Sequence, residues 1–276
     1  MDPDMGIQYA CYERSQIKLM ELLEYTVSAR AANITINRPE KRNALNPELV
    51  NLLIQAFGRA IKDDQVKVIV LRANGEVFSA GADLEYLQQI QNNSEDENFT
   101  DTTALKDLFL SIYRSPKLVI AQVEGHAIAG GCGLASVCDI IFSVPEAKFG
   151  YTEVKIGFIP ALVSCFLVRK LGEGRAKELL LSGELIDAGT AADYGLINFV
   201  VSKDNIAAQV DAYAQKIIRT ASGQSIALSK ELLNSVQDLS LEDSLSLAVK
   251  LNIQTRSSAD CRRGISAFLK KEKFEW

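Results

Sequence analysis

The chain is poor in the residues that build most recognisable catalytic centres. Its 276 residues include one histidine, His126, and one tryptophan. A single imidazole disfavours a metal site, and scattered cysteines supply no ligand spacing in its place. A Ser–His–Asp relay would have to run through His126, and no G-x-S-x-G elbow accompanies it. The five cysteines (Cys11, Cys132, Cys138, Cys165 and Cys261) are odd in number and form no C-x-x-C pair. That pattern argues against a disulfide framework and for a reducing, cytoplasmic setting. No apolar run reaches the roughly 20 residues of a membrane span. The opening residues carry Asp2, Asp4 and Glu13 and lack the apolar centre of a secretory leader. Residues 1–20 read as a loosely structured lead-in, with Met20 an alternative start.

Positive charge is also short. Thirty Lys and Arg stand against 35 Asp and Glu, a net charge of -5. General attraction to nucleic-acid backbones or anionic lipid is therefore not expected. Neither G-x-G-x-x-G nor G-x-x-x-x-G-K-S/T occurs, which removes dinucleotide and P-loop chemistry.

What remains is an ordinary folded composition, 47% apolar and 24% charged. Residues 24–37 are strand-like. Asn46-Pro47-Glu48 opens a helix with a capping Asn and a Pro at its first position, and Leu49, Leu53, Phe57 and Ile61 give it one apolar face. The runs 67–72, 118–123 and 139–144 are short and apolar, the pattern of buried strands. Helical segments fall between them, one over about 103–115 and one ending near Cys138. Residues 91–103 read as a polar surface loop. This alternation predicts an α/β fold with parallel pairing. Beyond about residue 205 only helices are expected, at 206–220, 225–236, 240–251 and 262–271. The division is then a lead-in (1–20), a catalytic β/α core (21–205) and a helical region (206–276).

Two glycine-rich loops each join a strand to a helix: Ser79-Ala-Gly-Ala-Asp83 and Ala129-Gly-Gly-Cys-Gly133. A helix N-terminus leaves backbone N–H groups without partners, and small side chains keep the approach open to an oxyanion. Tight helix–strand packing also wants small residues. Two such loops, each at a buried strand, shift the balance toward function. Glu153 stands in an apolar stretch, Lys148 to Pro160. Burial there would raise its pKa and suit it to proton transfer near neutrality. His126 precedes the second loop and is a candidate for lining a pocket.

With these pieces in view, the chain resembles the crotonase, or enoyl-CoA hydratase, superfamily from about Tyr25 to its end. The resemblance rests on Asn37-Arg-Pro-Glu-Lys-Arg-Asn-Ala-Leu-Asn46, Phe78-Ser-Ala-Gly-Ala-Asp-Leu84, Gly125-His-Ala-Ile-Ala-Gly-Gly-Cys-Gly133, Cys138-Asp-Ile140 and Ala147-Lys-Phe-Gly-Tyr-Thr-Glu153. It implies a spiral β/α core with a C-terminal helical trimerisation region, assembled as a homotrimer or homohexamer. It also implies an acyl-CoA thioester substrate, with no cofactor beyond the CoA that the substrate carries. Carried over by position, the N–H groups of Ala82 and Gly130 would hold the thioester oxygen. CoA would meet Ala44, Ala80, Asp83 and Leu84, with Lys41 or Arg42 toward phosphate. Phe268 and Lys271 match positions that reach a neighbouring subunit's nucleotide.

One departure matters. Enoyl-CoA hydratases place two glutamates on the catalytic water; here the second is Glu153, and the first falls at Gly133. A single glutamate resembles Δ3,Δ2-enoyl-CoA isomerases. The stretch 152–164 together with Gly133 more closely resembles a bacterial branch that hydrates 3-methylglutaconyl-CoA in leucine degradation. Glu153 would then act on water largely alone, or with Tyr151 or His126. Hydration is the leading expectation. Isomerisation, as in fatty acid metabolism, and a non-catalytic acyl-CoA-binding role are the alternatives.

Overall fold

The computed structural model describes residues 21–276. The expected lead-in and the alternative start at Met20 lie outside the described residues. The chain opens on a hairpin of β1 (Leu23–Ser28) and β2 (Ala31–Ile36), turned at Ala29 and Arg30, both with positive φ. A short turn (Pro39–Lys41) leads to α1 (Pro47–Lys62). As the sequence predicts, Asn46 caps α1 by accepting from Leu49 N–H, and Leu49, Leu53, Phe57 and Ala60 are buried.

Three ββα turns of a spiral follow. The first contains β3 (Val68–Ala73), β4 (Val77–Ser79), α2 (Leu84–Ile90) and α3 (Glu95–Tyr113). The second contains β5 (Leu118–Val123), β6 (His126–Ile128) and α4 (Gly130–Ser136). The third contains β7 (Ile140–Ser143), β8 (Lys148–Gly150), a one-turn 3₁₀ segment (Glu153–Ile156), α5 (Ala161–Leu171) and α6 (Glu173–Ser182). In each turn the first strand joins a large sheet and the second a small one. The large sheet has the order β1-β2-β3-β5-β7-β10 and the small one β4-β6-β8-β9. They are completed by β9 (Ile186–Asp187), α7 (Ala188–Asp193) and β10 (Phe199–Val200). Apart from the antiparallel pairs β1–β2 and β8–β9, all pairings are parallel. Strand β3 is buried from Val68 through Leu71, as expected of a parallel strand covered on both faces.

Four helices close the chain: α8 (Lys203–Thr220), α9 (Gly223–Ser235), α10 (Leu241–Arg256) and α11 (Ala259–Lys270). These agree with the all-helical ending read from the sequence. Helix α8 buries Ile206, Val210, Ala214 and Ile218 in the main core. By contrast, α10 leaves Leu241, Leu245, Val249 and Ile253 exposed, and α11 leaves Ile265, Phe268 and Leu269 exposed.

The loop expected at 91–103 is corrected. Helix α3 begins at Glu95, because Ser94 and Glu97 form a reciprocal capping box. That box closes the polar helix start without an apolar face, so periodicity gave no sign of it. Among the described residues, no helix is long and apolar enough to cross a membrane.

Candidate active site

Strands β4, β6 and β8 lie side by side and parallel, with Ser79 opposite Ala127 and Ile128 opposite Gly150. Their C-terminal ends therefore open on one edge, and each feeds a segment singled out in the sequence. Strand β4 leads to Ala82, β6 to Gly130 and β8 to Glu153. Clefts outside the carboxyl ends of parallel strands are where such sheets bind ligands.

The first two loops touch. Gly81 has φ of 87°, and a Cβ added to it would stand 2.8 Å from Ala129 Cβ and 3.4 Å from Gly130 N. Ala129 itself takes φ 51° and ψ -126°, a strained combination for a residue with a side chain. It is held there by its N–H bond to Gly150 O at 2.7 Å. Leu45 forms a parallel bridge with Ala82, using Leu45 N–H to Gly81 O (2.6 Å) and Asp83 N–H to Leu45 O (2.9 Å). That geometry turns the Ala82 N–H away from the bridge. Neither Ala82 N–H nor Gly130 N–H has a hydrogen-bond partner among the described residues. Two neighbouring, unpartnered amides can receive a developing oxyanion.

Segment 42–45 runs along the first loop, with Ala80 N–H donating to Arg42 O at 3.0 Å. Ala44, Ala80 and Leu84 are thus gathered on one side. Leu84 is exposed although apolar. Lys41 is exposed and paired with Glu85 at 2.6 Å. Asn43 is fully buried and stitches the segment together, accepting from Arg38 N–H and donating to Asn74 O and Val77 O. Asp83 is occupied by the fold: it is buried, caps α2 through Glu85 N–H and Tyr86 N–H, and pairs with Arg38. Burial would raise its pKa, but Arg38 and those amides outweigh it and hold the carboxyl below its usual range.

Glu153 is half-buried at the start of its one-turn segment. Its Oε2 is enclosed and has no hydrogen-bond partner among the described residues. Burial raises its pKa, with its own backbone N–H acting weakly the other way. Its charge is felt by Cys132 of α4 and by Tyr151. Tyr151 is wholly buried beside Cys132 and Ser136, and its hydroxyl makes no well-formed bond there. Cys132 is also enclosed, and burial pushes its thiol up to about 12, which makes it unreactive.

Gly133 explains itself once α5 is placed. A Cβ at Gly133 would lie 2.2 Å from Val163 Cγ1 and 3.3 Å from the Phe109 ring. The space that a side chain would take is filled by apolar groups. Val163 is the feature that the sequence reading missed, and a valine thirty residues downstream gives no signal of it.

The sequence of the family described as Enoyl-CoA hydratase/isomerase matches residues 26–276. The chain belongs to that family. A Thermus thermophilus protein provisionally named an enoyl-CoA hydratase is 41% identical over 240 residues, covering 87% of this chain and 94% of its own. Among solved structures, a Legionella pneumophila protein titled, also provisionally, enoyl-CoA hydratase/isomerase (crotonase) superposes with a TM-score of 0.85 at 37% identity. That alignment covers 92% of this chain and 98% of the other. An enoyl-CoA hydratase from Shewanella pealeana gives a TM-score of 0.89 at 28% identity over 95% and 99% of the two chains. The protein is thus an enzyme of the enoyl-CoA hydratase/isomerase family with the crotonase fold.

Other expected residues of this family enzyme stand apart from the cluster. His126 begins β6, at the opposite end of that strand from Gly130. It is exposed, and its Nδ1 accepts from Lys148 N–H at 3.2 Å. Phe268 and Lys271 lie at the end of α11, and no hydrogen bond, ion pair or ring contact links them to the cluster. No group of three metal-ligating side chains occurs among the described residues.

Proposed function

We propose that the enzyme hydrates an α,β-unsaturated acyl-CoA, with Glu153 as its one acid–base group. The observation that carries this reading is the convergence of the β4, β6 and β8 ends, which brings two unpartnered amides and one enclosed carboxylate to a single edge. The thioester oxygen would accept from Ala82 N–H and Gly130 N–H. Glu153 takes a proton from water as the oxygen bonds to Cβ. The electron pair of the double bond moves onto the thioester as an enolate, and Glu153 returns the proton to Cα. Burial raises the carboxyl pKa, the direction that suits a group serving both steps. Each amide of such a pair is worth roughly 3–4 kcal/mol when charge develops. Ala44, Ala80 and Leu84 would contact CoA, Lys41 and Arg42 its phosphates, and no further cofactor is needed.

For the acyl group we favour the 3-methylglutaconyl unit, on the resemblance of residues 152–164. Its distal carboxylate calls for a cation. Lys155, near in sequence, is taken by Glu184 at 2.8 Å, so that cation must come from elsewhere. The second reading is isomerisation of a 3-enoyl-CoA, with Glu153 moving a proton from Cα to Cγ. It is favoured by the apolar Val163 and Phe109 behind Gly133, which leave no second carboxylate for water. A homotrimer or homohexamer would cover the exposed stripes of α10 and α11 and bring Phe268 and Lys271 of one subunit toward another.

A panel of acyl-CoA thioesters with the purified enzyme tests this. Water addition to 3-methylglutaconyl-CoA, lost in Glu153→Gln, supports the first reading. Conversion of 3-enoyl to 2-enoyl thioesters without hydration supports the second. Equal turnover by wild type and Glu153→Gln overturns both.

A further inference from the structure

Lys170, near the end of α5, is half-buried, and its Nζ donates to Ser136 O at 2.9 Å and Cys138 O at 3.2 Å. These carbonyls close the C-terminal end of α4. No carboxylate stands within ion-pair distance of Lys170 among the described residues. Asp139 acts on it only from beyond that distance, and drawing an ammonium out of water is costly, so its place needs a reason. The reason lies in α4, which has only seven residues, three of them glycine. Such a segment cannot hold itself: it is shorter than a stable helix, and each glycine weakens it by about 1 kcal/mol. It is held from outside at two points on one face of α5. Val163 fills the notch at Gly133, and Lys170 receives the last carbonyls.

We propose that Lys170 is a positioning residue for the reaction. With Val163 it makes α5 a two-point brace, which fixes α4 and through it the Gly130 amide against the Ala82 loop. The proposal rests on the reading of Gly130 N–H as a donor to the thioester oxygen. Lys170 itself touches no reacting atom.

The test compares Lys170→Met with Lys67→Met in the full chain. Lys67 is also buried and donates to a helix-end carbonyl, Ile218 O at 2.6 Å, but on α8. In Lys170→Met, kcat falls at least about tenfold while KM stays within about twofold, since misplacement of a donor acts on the transition state. Hydrogen exchange at the Gly133 and Val137 amides, which bond to Ala129 O and Gly133 O, speeds up. In Lys67→Met, stability falls but kcat and exchange in α4 hold. If Lys170→Met does not fold, Lys170→Ala, which also removes the donor but lets water reach the carbonyls, carries the same measurements. Unchanged kcat and unchanged α4 exchange in the Lys170 variant overturn the proposal, as does an equal kcat loss in Lys67→Met. A wild type inactive on every thioester would defeat the reading of Gly130, while the exchange measurement still judges the brace.

Discussion

The carboxyl ends of the small sheet and the amino ends of the large one are built from opposite materials. At the carboxyl ends the chain places small residues, free amides and one carboxylate. At the amino ends it places lysines. Lys67 precedes β3 and donates to Ile218 O in the last turn of α8. Lys117 precedes β5 and donates to Ala60 O and Asp63 O at the end of α1. Lys230 donates to Lys117 O and pairs with Asp139, which precedes β7. The cause is the spiral itself. A helix that returns antiparallel to its strands leaves N–H groups at one edge and C=O groups at the other. Ammonium groups satisfy the carbonyls, while the amides stay open for a ligand. One edge is therefore closed by the protein's own charges and the other left open, so damage to each should register differently.

The largest expected effect crosses both properties. Gly133→Glu drives a side chain into Val163 and should yield little folded protein, because such overpacking costs roughly 1–3 kcal/mol or more. Adding Val163→Ala should recover soluble, folded material by circular dichroism. Failure of that rescue would mean the notch is set by something other than Val163. Next is Glu153→Gln, expected to lower kcat about 10³-fold without harming the fold. The half-buried carboxylate has a raised pKa, so its ionised form burdens the native state above about pH 4.3, and relief of that burden should raise Tm at neutral pH. The Tm gain should fade in acid.

At the opposite edge, Lys230→Met leaves the half-buried Asp139 without its paired cation. Burial already raises the Asp139 pKa against the pull of Lys230. Denaturant titration at pH 7 should show a loss of about 3 kcal/mol with kcat unchanged. Because Asp139 is neutral in both states well below about pH 3.9, the loss should shrink there. A matching fall in kcat would break the division between the edges. The smallest effect is expected from Lys41→Ala. Its pair with Glu85 is exposed and screened by solvent, so Tm should barely move, and only KM for the CoA thioester should rise.

Much of the larger sheet could be read from the chain, because strands of four to six residues with continuous apolar runs carry their own signal. The smaller sheet could not. Strands β4, β6 and β8 have three residues each, too few to show a period, and their register comes from neighbours. The two glycine-rich loops and Glu153 could be picked out from composition, and Ala82 and Gly130 within the loops only through the family resemblance; the fold brings all three candidates to one edge. His126 could not be placed, because strand direction decides at which end it lies. Asp83 looked available but is bound to Arg38, which local sequence does not reveal.

The spacing of Val163 and Lys170 carries a further consequence. Seven residues are close to two helical turns, about 10 Å of rise. Helix α5 therefore acts as a ruler laid along α4, with a mark at each end. Substitutions at the exposed positions between the marks, such as Cys165 and Val168, can be absorbed, but one inserted or deleted residue would swing the ammonium about 100° around the axis. Length, more than composition, is what this stretch of chain has to conserve.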